Sequence, residues 1–421
     1  MKKKILASLL SLAMLLGLAA CGSGQTAGQT GGEAEEDVNN PDAIEQTPEG
    51  VTIKAGLICI GDENDQGYTY NFIRGRDDAT AALAAQGINV EWVTKWNVGE
   101  DSTCEDANRE LAEDGCQIII NNSFGFEEFM LKVAPEYPDI QFVSCTNQAS
   151  WGDGLDNTHN AFANIYEGRY LAGIVAGMKL QQMIDDGEIS ADEAVIGYVG
   201  AFAFAEVISG YTSYFLGARS VCPSVTMKVL FVNSWSDASE EANAAAALAD
   251  QGCKLISQHS DNTTPATTAQ DKGIFHTGYN NDMTGIAPDA SLVSTRIDWT
   301  PYFVYAISAV ANGQEFDQDW CHGMDEDAVE LTALNEALAA PGTAEKVAEA
   351  EVGLRDGSIQ VFDTSTFTVD GAELTQAFAL DTDGDFAPDA EEAVFDGAFH
   401  ESYFQSAPYF AIAIDGIEKL N

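Results

Sequence analysis

The sequence predicts an α/β protein of two similar lobes, each built on a doubly wound parallel sheet, joined by a hinge. Three observations predict it: apolar strand-like runs alternate with helix-length segments, one strand–helix–strand pattern occurs twice, and polar loops follow the strands. Strands that alternate with helices of this length indicate parallel sheets with right-handed crossovers. About 370 residues follow the amino-terminal segment, enough for two packed domains of about 100–200 residues each.

The repeated pattern starts at Val90 and again at Met227. Its copies read VEWVTKWNVGEDSTCEDANRELAEDGCQIIINNSFG and MKVLFVNSWSDASEEANAAAALADQGCKLISQHSD. Each copy has an apolar strand ending near a Trp, an acidic cap, an Ala- and Leu-rich helix, a Gly-Cys pair and a second apolar strand. Because another strand–loop–helix unit precedes each copy, we expect two lobes of the same construction. The expected first lobe is 51–157 with about 296–350, and the expected second lobe is 158–295 with about 351–421.

The amino-terminal segment has the pattern of a secretory signal. MKKKILASLLSLAMLLGLAAC has a basic start, an apolar run too short to span a membrane, and small residues before Cys21. The ending Leu18-Ala19-Ala20-Cys21 resembles a lipobox, which implies cleavage of residues 1–20 and lipidation of the Cys21 thiol on the outer membrane face. An ordinary signal peptide with an unrelated Cys is the alternative. Residues 21–50 are polar and Gly-rich, so we expect a flexible tether there.

The charge balance limits the partners of the chain. The formal net charge is -48, from 67 acidic and 19 basic residues. Nucleic-acid binding needs the opposite sign, so it is not expected. An acidic surface also disfavours an anionic ligand, although a local pocket can override net charge. Neutral or cationic small molecules remain as candidate ligands.

A polar loop with two tyrosines follows the first predicted strand. It reads GDENDQGYTYNFIRG and covers residues 61–75. A turn needs Gly and one or two capping residues, whereas this loop has an unbroken polar run from Asp62 to Gln66. Ligands of open parallel sheets sit beyond the carboxyl ends of the strands, and a cleft between lobes commonly holds them. We therefore expect a ligand cleft formed by the loops 61–71, 96–101, 121–126, 200–206, 233–239, 258–263 and 278–283.

Several short motifs occur in one order along the chain. They are Asp65-Gln66-Gly67-Tyr68-x-Tyr70; Asn122-Ser123-Phe124-Gly125; Val133-Ala134 with Tyr137-Pro138-Asp139 and Phe142; Tyr170-Leu171-Ala172-Gly173 with Ala176-Gly177; Ser234-Trp235-Ser236-Asp237; and Gly278-Tyr279-Asn280-Asn281-Asp282. With these motifs, from about Lys54 to Asn312, the chain resembles the basic membrane protein family of lipoproteins, also called the purine nucleoside receptor (PnrA-like) family. The resemblance implies a type I periplasmic-binding fold. It also implies a substrate-binding protein of an ABC importer, with permease and ATPase subunits as partners and no cofactor.

The resemblance also implies a ligand site. Members of this family hold a nucleobase between two aromatic side chains, one from each lobe, which implies Tyr68 and Trp235 here. Asp282 and Asn280 would face the ribose. Tyr68 stands where Phe or Trp is usual, and Asn280 where a carboxylate is often found. Independently of the family, stacking on an aromatic face contributes roughly 1–3 kcal/mol per base, and hydroxyl groups suit an Asp or Asn acceptor.

Other candidate ligand residues have structural alternatives. Ser123 and Phe124 follow a strand. Either both lie near the ligand, or Ser123 caps a helix and Phe124 is a core residue. Asp65 is either an acceptor for the edge of the base or a cap for the first helical turn. Asp237 contacts the ligand or caps the Ala-rich helix behind it. Asp261 ends a strand whose loop belongs to the same predicted cleft. It likewise either contacts the ligand or has a structural role.

The segment DTDGDFAPDAEE has the spacing of a calcium loop. The carboxylates at positions one, three, five, nine and twelve of that loop are Asp381, Asp383, Asp385, Asp389 and Glu392. Phe386 occupies the position where the sharp turn requires Gly. The pattern therefore favours an acidic surface turn over a calcium site, and we expect no metal.

Patterns for catalysis are weak. The five His residues have no metal spacing, and neither G-x-S-x-G nor G-x-x-x-x-G-K-[ST] occurs. With Cys21 lipidated, seven Cys remain without a C-x-x-C pair, so only a single disulfide stays open. The chain is therefore predicted not to be an enzyme.

The combined prediction is an extracytoplasmic, lipid-anchored substrate-binding protein of an ABC importer. Its two lobes would close by a hinge motion over a nucleoside or related heterocycle. One alternative is a receptor that presents its ligand to a membrane sensor or chemoreceptor without transport. A purine-nucleoside hydrolase is a further alternative.

Overall fold

The computed structural model describes residues 50–147, 154–381 and 388–421, all of them within one compact unit, Thr47–Asn421. Its strands are β1 (Val51–Ile58), β2 (Ile88–Lys95), β3 (Ile118–Asn121), β4 (Gln141–Ser144), β5 (Thr158–Ala163), β6 (Val195–Gly200), β7 (Thr226–Phe231), β8 (Leu255–Gln258), β9 (Phe275–Tyr279), β10 (Ser291–Ile297), β11 (Asp319–His322), β12 (Val329–Leu331), β13 (Phe378–Leu380), β14 (Ala390–Glu392), β15 (Val394–Phe395), β16 (Ala398–Phe399) and β17 (Ile417–Lys419). Its helices are α1 (Tyr68–Ala85), α2 (Ser102–Glu113), α3 (Glu127–Val133), α4 (Ile165–Asp185), α5 (Ala205–Val221), α6 (Ala238–Asp250), α7 (Thr264–Lys272), α8 (Thr300–Asn312) and α9 (Thr343–Arg355).

Two large sheets form the two lobes. The first has the order β11-β5-β4-β3-β1-β2, and the second β12-β10-β9-β8-β6-β7-β17. Every neighbouring pair in them is parallel except β10 and β12. The first five strands of each lobe follow the same doubly wound order, 2-1-3-4-5. The predicted fold class, two similar α/β lobes, is confirmed.

The chain passes between the lobes after β5, after β10 and after β11. The strand membership differs from the expected lobe ranges in two places. Strand β5 pairs with β4 in the first sheet, so the first crossing follows Ala163 rather than residue 157. Strand β12 pairs antiparallel with β10 at the edge of the second sheet, although it lies inside the range 296–350.

Two helices of the second lobe pack with their backbones in close contact. A Cβ on Gly173 of α4 would lie 2.0 Å from the carbonyl oxygen of Tyr214, and one on Gly217 of α5 would lie 2.0 Å from that of Tyr170. Only glycine allows this approach. The Tyr170-Leu171-Ala172-Gly173 motif is therefore explained by helix packing rather than by ligand contact.

The carboxyl-terminal segment contacts both lobes. Strand β17 adds to the second sheet beside β7. The backbone N–H of Ser406 donates to Oδ2 of Asp319 in the first sheet at 2.7 Å. Glu392 of the calcium-like segment accepts hydrogen bonds from Gln376 and Ala377 within a hairpin, whereas Asp383 and Asp385 lie outside the described residues.

The predicted signal, the predicted lipidation site Cys21 and the predicted tether up to residue 49 also lie outside the described residues. Within the described ranges, no helix combines the length and apolarity that crossing a membrane requires. The seven cysteines that the structure describes are free, and all except Cys321 are buried. The six buried cysteines act as small apolar core residues.

Candidate ligand-binding site

A cavity lies between the lobes, where the carboxyl ends of the central strands of both sheets meet. It encloses about 510 Å³ of space outside the protein atoms, partly open to solvent. Its walls are formed by Ile60, Tyr68, Ser123, Phe124, Cys145, Thr146, Phe162, Phe204, Glu206, Trp235, His259, Asp261 and Tyr279.

Tyr68, in the first turn of α1, forms part of the first-lobe wall. Its hydroxyl donates to the carbonyl oxygen of Cys145 at 3.1 Å. Its ring meets those of Phe72 and Trp299 edge-on, with centroid distances of 5.0 and 6.2 Å. Both ends of the side chain are thus held by the first lobe and its hinge, so the ring is fixed at the cavity wall.

Four aromatic side chains, which we call the aromatic rim, form a second cluster of rings: Phe124 from the first lobe, and Phe202, Phe204 and Trp235 from the second. Phe204 stacks on Phe124 across the lobes at 5.1 Å, and it lies 6.1 Å from Trp235. The Phe202 ring stacks on that of Phe204 and meets that of Trp235 edge-on. Of the rim residues, all except Phe202 line the cavity.

Asp261 joins the lobes beside the cavity. Its Oδ1 accepts a hydrogen bond from the backbone N–H of Tyr68 at 3.1 Å. Burial raises the pKa of the Asp261 carboxyl well above its usual range, and the negative charges of Asp65 and Glu241 raise it further. At Gly67, a Cβ would lie 2.5 Å from Cα of Asp261. The lobes therefore meet here backbone to backbone.

Asp65 and Asp237 both cap helices. Asp65 accepts from the backbone N–H groups of Gly67 and Tyr70 at 2.9 and 3.1 Å, and burial raises its pKa. It also borders an adjoining cavity, which shares Ile60, Trp235 and Asp261 with the first. Asp237 accepts from the backbone N–H groups of Ser239 and Glu240 at 3.0 Å each. The capping alternative is thus realised at both positions.

Asn280 and Asp282 do not line the cavity. Asn280 is buried, with a φ of 61°, and its Oδ1 accepts from Nδ2 of Asn71 at 3.3 Å. Oδ1 of Asp282 accepts from the backbone N–H and the hydroxyl of Thr284 at 2.9 and 2.6 Å, which closes a turn. Their ribose contacts stay a prediction.

The polar wall residues that were not predicted as ligand residues include Glu206, His259 and Tyr279. Nε2 of His259 lies 2.7 Å from Oε1 of Glu206. Behind them, the guanidinium of Arg169 is fully buried and lies 3.7 Å from the centroid of the Tyr279 ring. The available signal was Arg169 itself, because it comes just before the apolar and small residues 171–177, and a charged side chain that is buried with such a run is costly unless it is paired.

The hydrogen bonds of His259 determine its tautomer. Nδ1 lies 3.2 Å from Nη2 of Arg169 and 3.1 Å from the hydroxyl of Tyr198. Arg can only donate, so Nδ1 accepts and the ring proton sits on Nε2, facing Glu206. Burial lowers the pKa of His259 and the charge of Arg169 lowers it further, while Glu206 opposes the shift. An imidazole that accepts at Nδ1 and donates at Nε2 is neutral.

Comparison with known proteins identifies the family. The model of the family described as "ABC transporter substrate-binding protein PnrA-like" matches residues 52–352. The chain belongs to this PnrA-like family. A purine-binding protein of Brucella abortus (strain 2308) is 33% identical over 326 residues, which cover 77% of this chain and 87% of the relative. The predicted family resemblance is thereby confirmed.

Two further similarities extend the comparison. A putative ABC transporter glucose-binding protein of Haloferax volcanii is 31% identical over 301 residues, 70% of each chain. The structure of an ABC transporter solute-binding protein from Aeropyrum pernix K1 superimposes with a TM-score of 0.59 at 17% identity, covering 79% of this chain and 95% of that one. This last likeness shows the fold alone.

Family membership establishes the general role of this PnrA-like protein. It is an extracytoplasmic substrate-binding protein of an ABC transporter, which binds a small molecule and works with a permease. The family consists of solute-binding proteins rather than enzymes.

Proposed function

We propose that the protein captures a purine, as free base or nucleoside, in the cavity between its lobes and delivers it to an ABC permease. The observation that carries this proposal is the cavity wall itself, which has an aromatic side chain from each lobe, Tyr68 and Trp235. Among the described residues, these two rings make no ring–ring contact with each other. A flat heterocycle between them would gain roughly 1–3 kcal/mol of stacking on an aromatic face.

The polar groups of the cavity support the same ligand class. Glu206 and Asp261 place carboxyl groups at the wall, and the N–H groups of a purine are suitable donors to them. The Brucella relative, which is named a purine-binding protein, gives independent support. Neither Asn280 nor Asp282 lines the cavity. The proposed contacts of Glu206 and Asp261 with the base therefore do not require a ribose.

A sugar is the second candidate ligand, because the Haloferax relative is named a putative glucose-binding protein. Sugar hydroxyls are also able to donate to Glu206 and Asp261. A sugar offers no planar π-face for Trp235 and Tyr68, so the aromatic walls favour the purine.

Calorimetric titration of the purified protein, processed as the cell makes it, tests the ligand class. The panel is adenine, guanine, hypoxanthine, their nucleosides and glucose. We expect at least one purine to bind and glucose to give no signal. Binding of glucose with no response to any purine base or nucleoside would contradict the proposal.

We further propose that lipid on Cys21 holds the protein at the outer face of the cell membrane. The basic start, the short apolar run and the Leu18-Ala19-Ala20-Cys21 ending support this. A polar tether would then let the binding lobes reach the permease.

A further inference from the structure

Glu206 lies in the first turn of α5, at the cavity wall. Its Oε1 accepts from Nε2 of His259 at 2.7 Å. Among the residues that the structure describes, Oε2 has no hydrogen-bond partner. The positive end of the helix dipole favours a carboxylate at this position. One carboxylate oxygen is therefore held by the protein, and the other is free for a ligand.

Arg169 explains why a carboxylate is present here. Its side chain is fully buried, and within the described ranges it forms no ion pair with any Asp or Glu. Its Nη1 donates to the carbonyl oxygen of Gln258 at 2.8 Å, and its Nη2 to Nδ1 of His259. A buried guanidinium needs a compensating charge. Glu206 is the carboxylate that it reaches through the imidazole.

The direction of every hydrogen bond in this chain of groups is fixed. Arg169 and Tyr198 donate to Nδ1 of His259, and Nε2–H of His259 donates to Glu206. No group in this series of hydrogen bonds can exchange its role as donor or acceptor, because Arg169 can only donate. Arg169, Tyr198 and His259 are thus positioning residues for the carboxylate of Glu206.

We propose that Glu206 determines ligand specificity: its free oxygen accepts an N–H of a neutral purine, and its charge excludes purines that are anions. This rests on the proposed purine function. A carboxylate accepts and cannot donate, so the ligand must present a donor to it. The charge of Arg169 is already offset by Glu206, and among the described residues no Lys or Arg lines the cavity to compensate an anionic ligand.

Hypoxanthine and urate are a suitable pair of probes for this proposal. Both are planar oxopurines, but urate is an anion at neutral pH and hypoxanthine is neutral. We expect calorimetry to show binding of hypoxanthine and at least about tenfold weaker binding of urate, because like charges repel in a partly desolvated site.

Glu206→Gln is the decisive variant. The amide oxygen can still accept from His259, while its NH₂ group now faces the ligand with the wrong polarity. We expect hypoxanthine affinity to fall about tenfold to a hundredfold, because a hydrogen bond to a charged group is lost. The preference for hypoxanthine over urate should shrink by at least a similar factor.

Tyr198→Phe is the second variant, and Tyr211→Phe is its matched control. Tyr198 donates to His259, whereas the hydroxyl of the neighbouring Tyr211 has no partner in the described part of the chain. We expect Tyr198→Phe to reduce the hypoxanthine-to-urate preference and Tyr211→Phe to leave it unchanged. A purely structural role for Tyr198 would lower the melting temperature without changing this ratio.

The outcomes separate this inference from the proposed function. If wild-type protein binds hypoxanthine and folded Glu206→Gln binds it equally well, with the same preference over urate, this inference is wrong and the purine function stands. If Glu206→Gln does not fold, an unchanged preference in Tyr198→Phe overturns the inference. If wild-type protein binds no purine, both are overturned.

Discussion

The backbone N–H of Tyr68 donates a hydrogen bond to Oδ1 of Asp261 at 3.1 Å, and this bond joins the two lobes at the wall of the ligand cavity. Beside it, Nδ2 of Asn281 donates to Oε1 of Gln66 at 3.3 Å. The structure therefore shows the lobes in contact, and separation of the lobes for ligand entry has to break these bonds. Lobe closure and ligand binding should be coupled through this contact.

Gly67→Ala should prevent the lobes from closing fully. A Cβ at this position would lie 2.5 Å from Cα of Asp261, so the two backbones would have to separate. We expect purine affinity to fall by at least about tenfold. Small-angle scattering with ligand present should give a larger radius of gyration than for wild type.

Gly285→Ala is the control for this change, because a Cβ there meets no atom within 4 Å. It should bind and scatter like wild type. Normal affinity in Gly67→Ala together with a wild-type radius of gyration would show that the Gly67–Asp261 contact does not limit closure.

The free energy of unfolding should fall as the pH rises from about 4.5 to about 7, in part through Glu241. Burial raises the pKa of this carboxyl to about 7. The folded state therefore keeps a proton that the unfolded state releases above its ordinary pKa of about 4.3. The contribution is fully present below the unfolded pKa and is lost as the pH rises through the folded one.

Urea unfolding at pH 5 and pH 8 measures this effect. Glu241→Gln, which carries no titratable group, should have a smaller difference between the two pH values than wild type. Glu240→Gln, on the exposed side of the same helical turn, is the control and should behave like wild type. An unchanged pH difference in Glu241→Gln would mean that this carboxyl does not titrate with a raised pKa.

Cys21→Ala tests the proposed anchor. Without the thiol there is no acceptor for the lipid, and the polar segment that follows has no membrane affinity of its own. We expect the variant in the medium or as an unprocessed precursor. Persistence of a form cleaved before residue 21 in the membrane fraction after a high-salt wash would contradict lipidation at Cys21.

Local patterns predicted most of the fold. Strand–helix alternation and the repeat at Val90 and Met227 were sufficient for two sheets with the same strand order, because each crossover unit is encoded within one short segment. The edge of the first lobe was misplaced because β5 is buried along its whole length. The sequence of such a strand does not alternate between apolar and polar residues, so it does not show which sheet the strand joins.

The cavity was predicted in part. The loops after the strands could be located from the sequence, so Tyr68, Ser123, Phe124, Trp235 and Asp261 were named in advance, and all line the cavity. The Arg169–His259–Glu206 network was missed because it joins residues from three different elements. Arg169 and His259 are 90 positions apart, and no local pattern reports a contact at that separation.

The central claim is that a purine stacks between the lobes against Tyr68 and Trp235. Calorimetric affinity for the tightest-binding purine, in wild type and in Tyr68→Ala and Trp235→Ala, tests it most directly, with thermal melts to confirm folding. Trp96→Ala is the control, because Trp96 is the repeat counterpart of Trp235 but lies outside the cavity wall, 38% exposed. We predict a loss of roughly 1–3 kcal/mol for each cavity variant, about one to two powers of ten in affinity, and near wild-type binding for Trp96→Ala. Wild-type affinity in folded Tyr68→Ala and Trp235→Ala proteins would contradict the claim and place the ligand elsewhere.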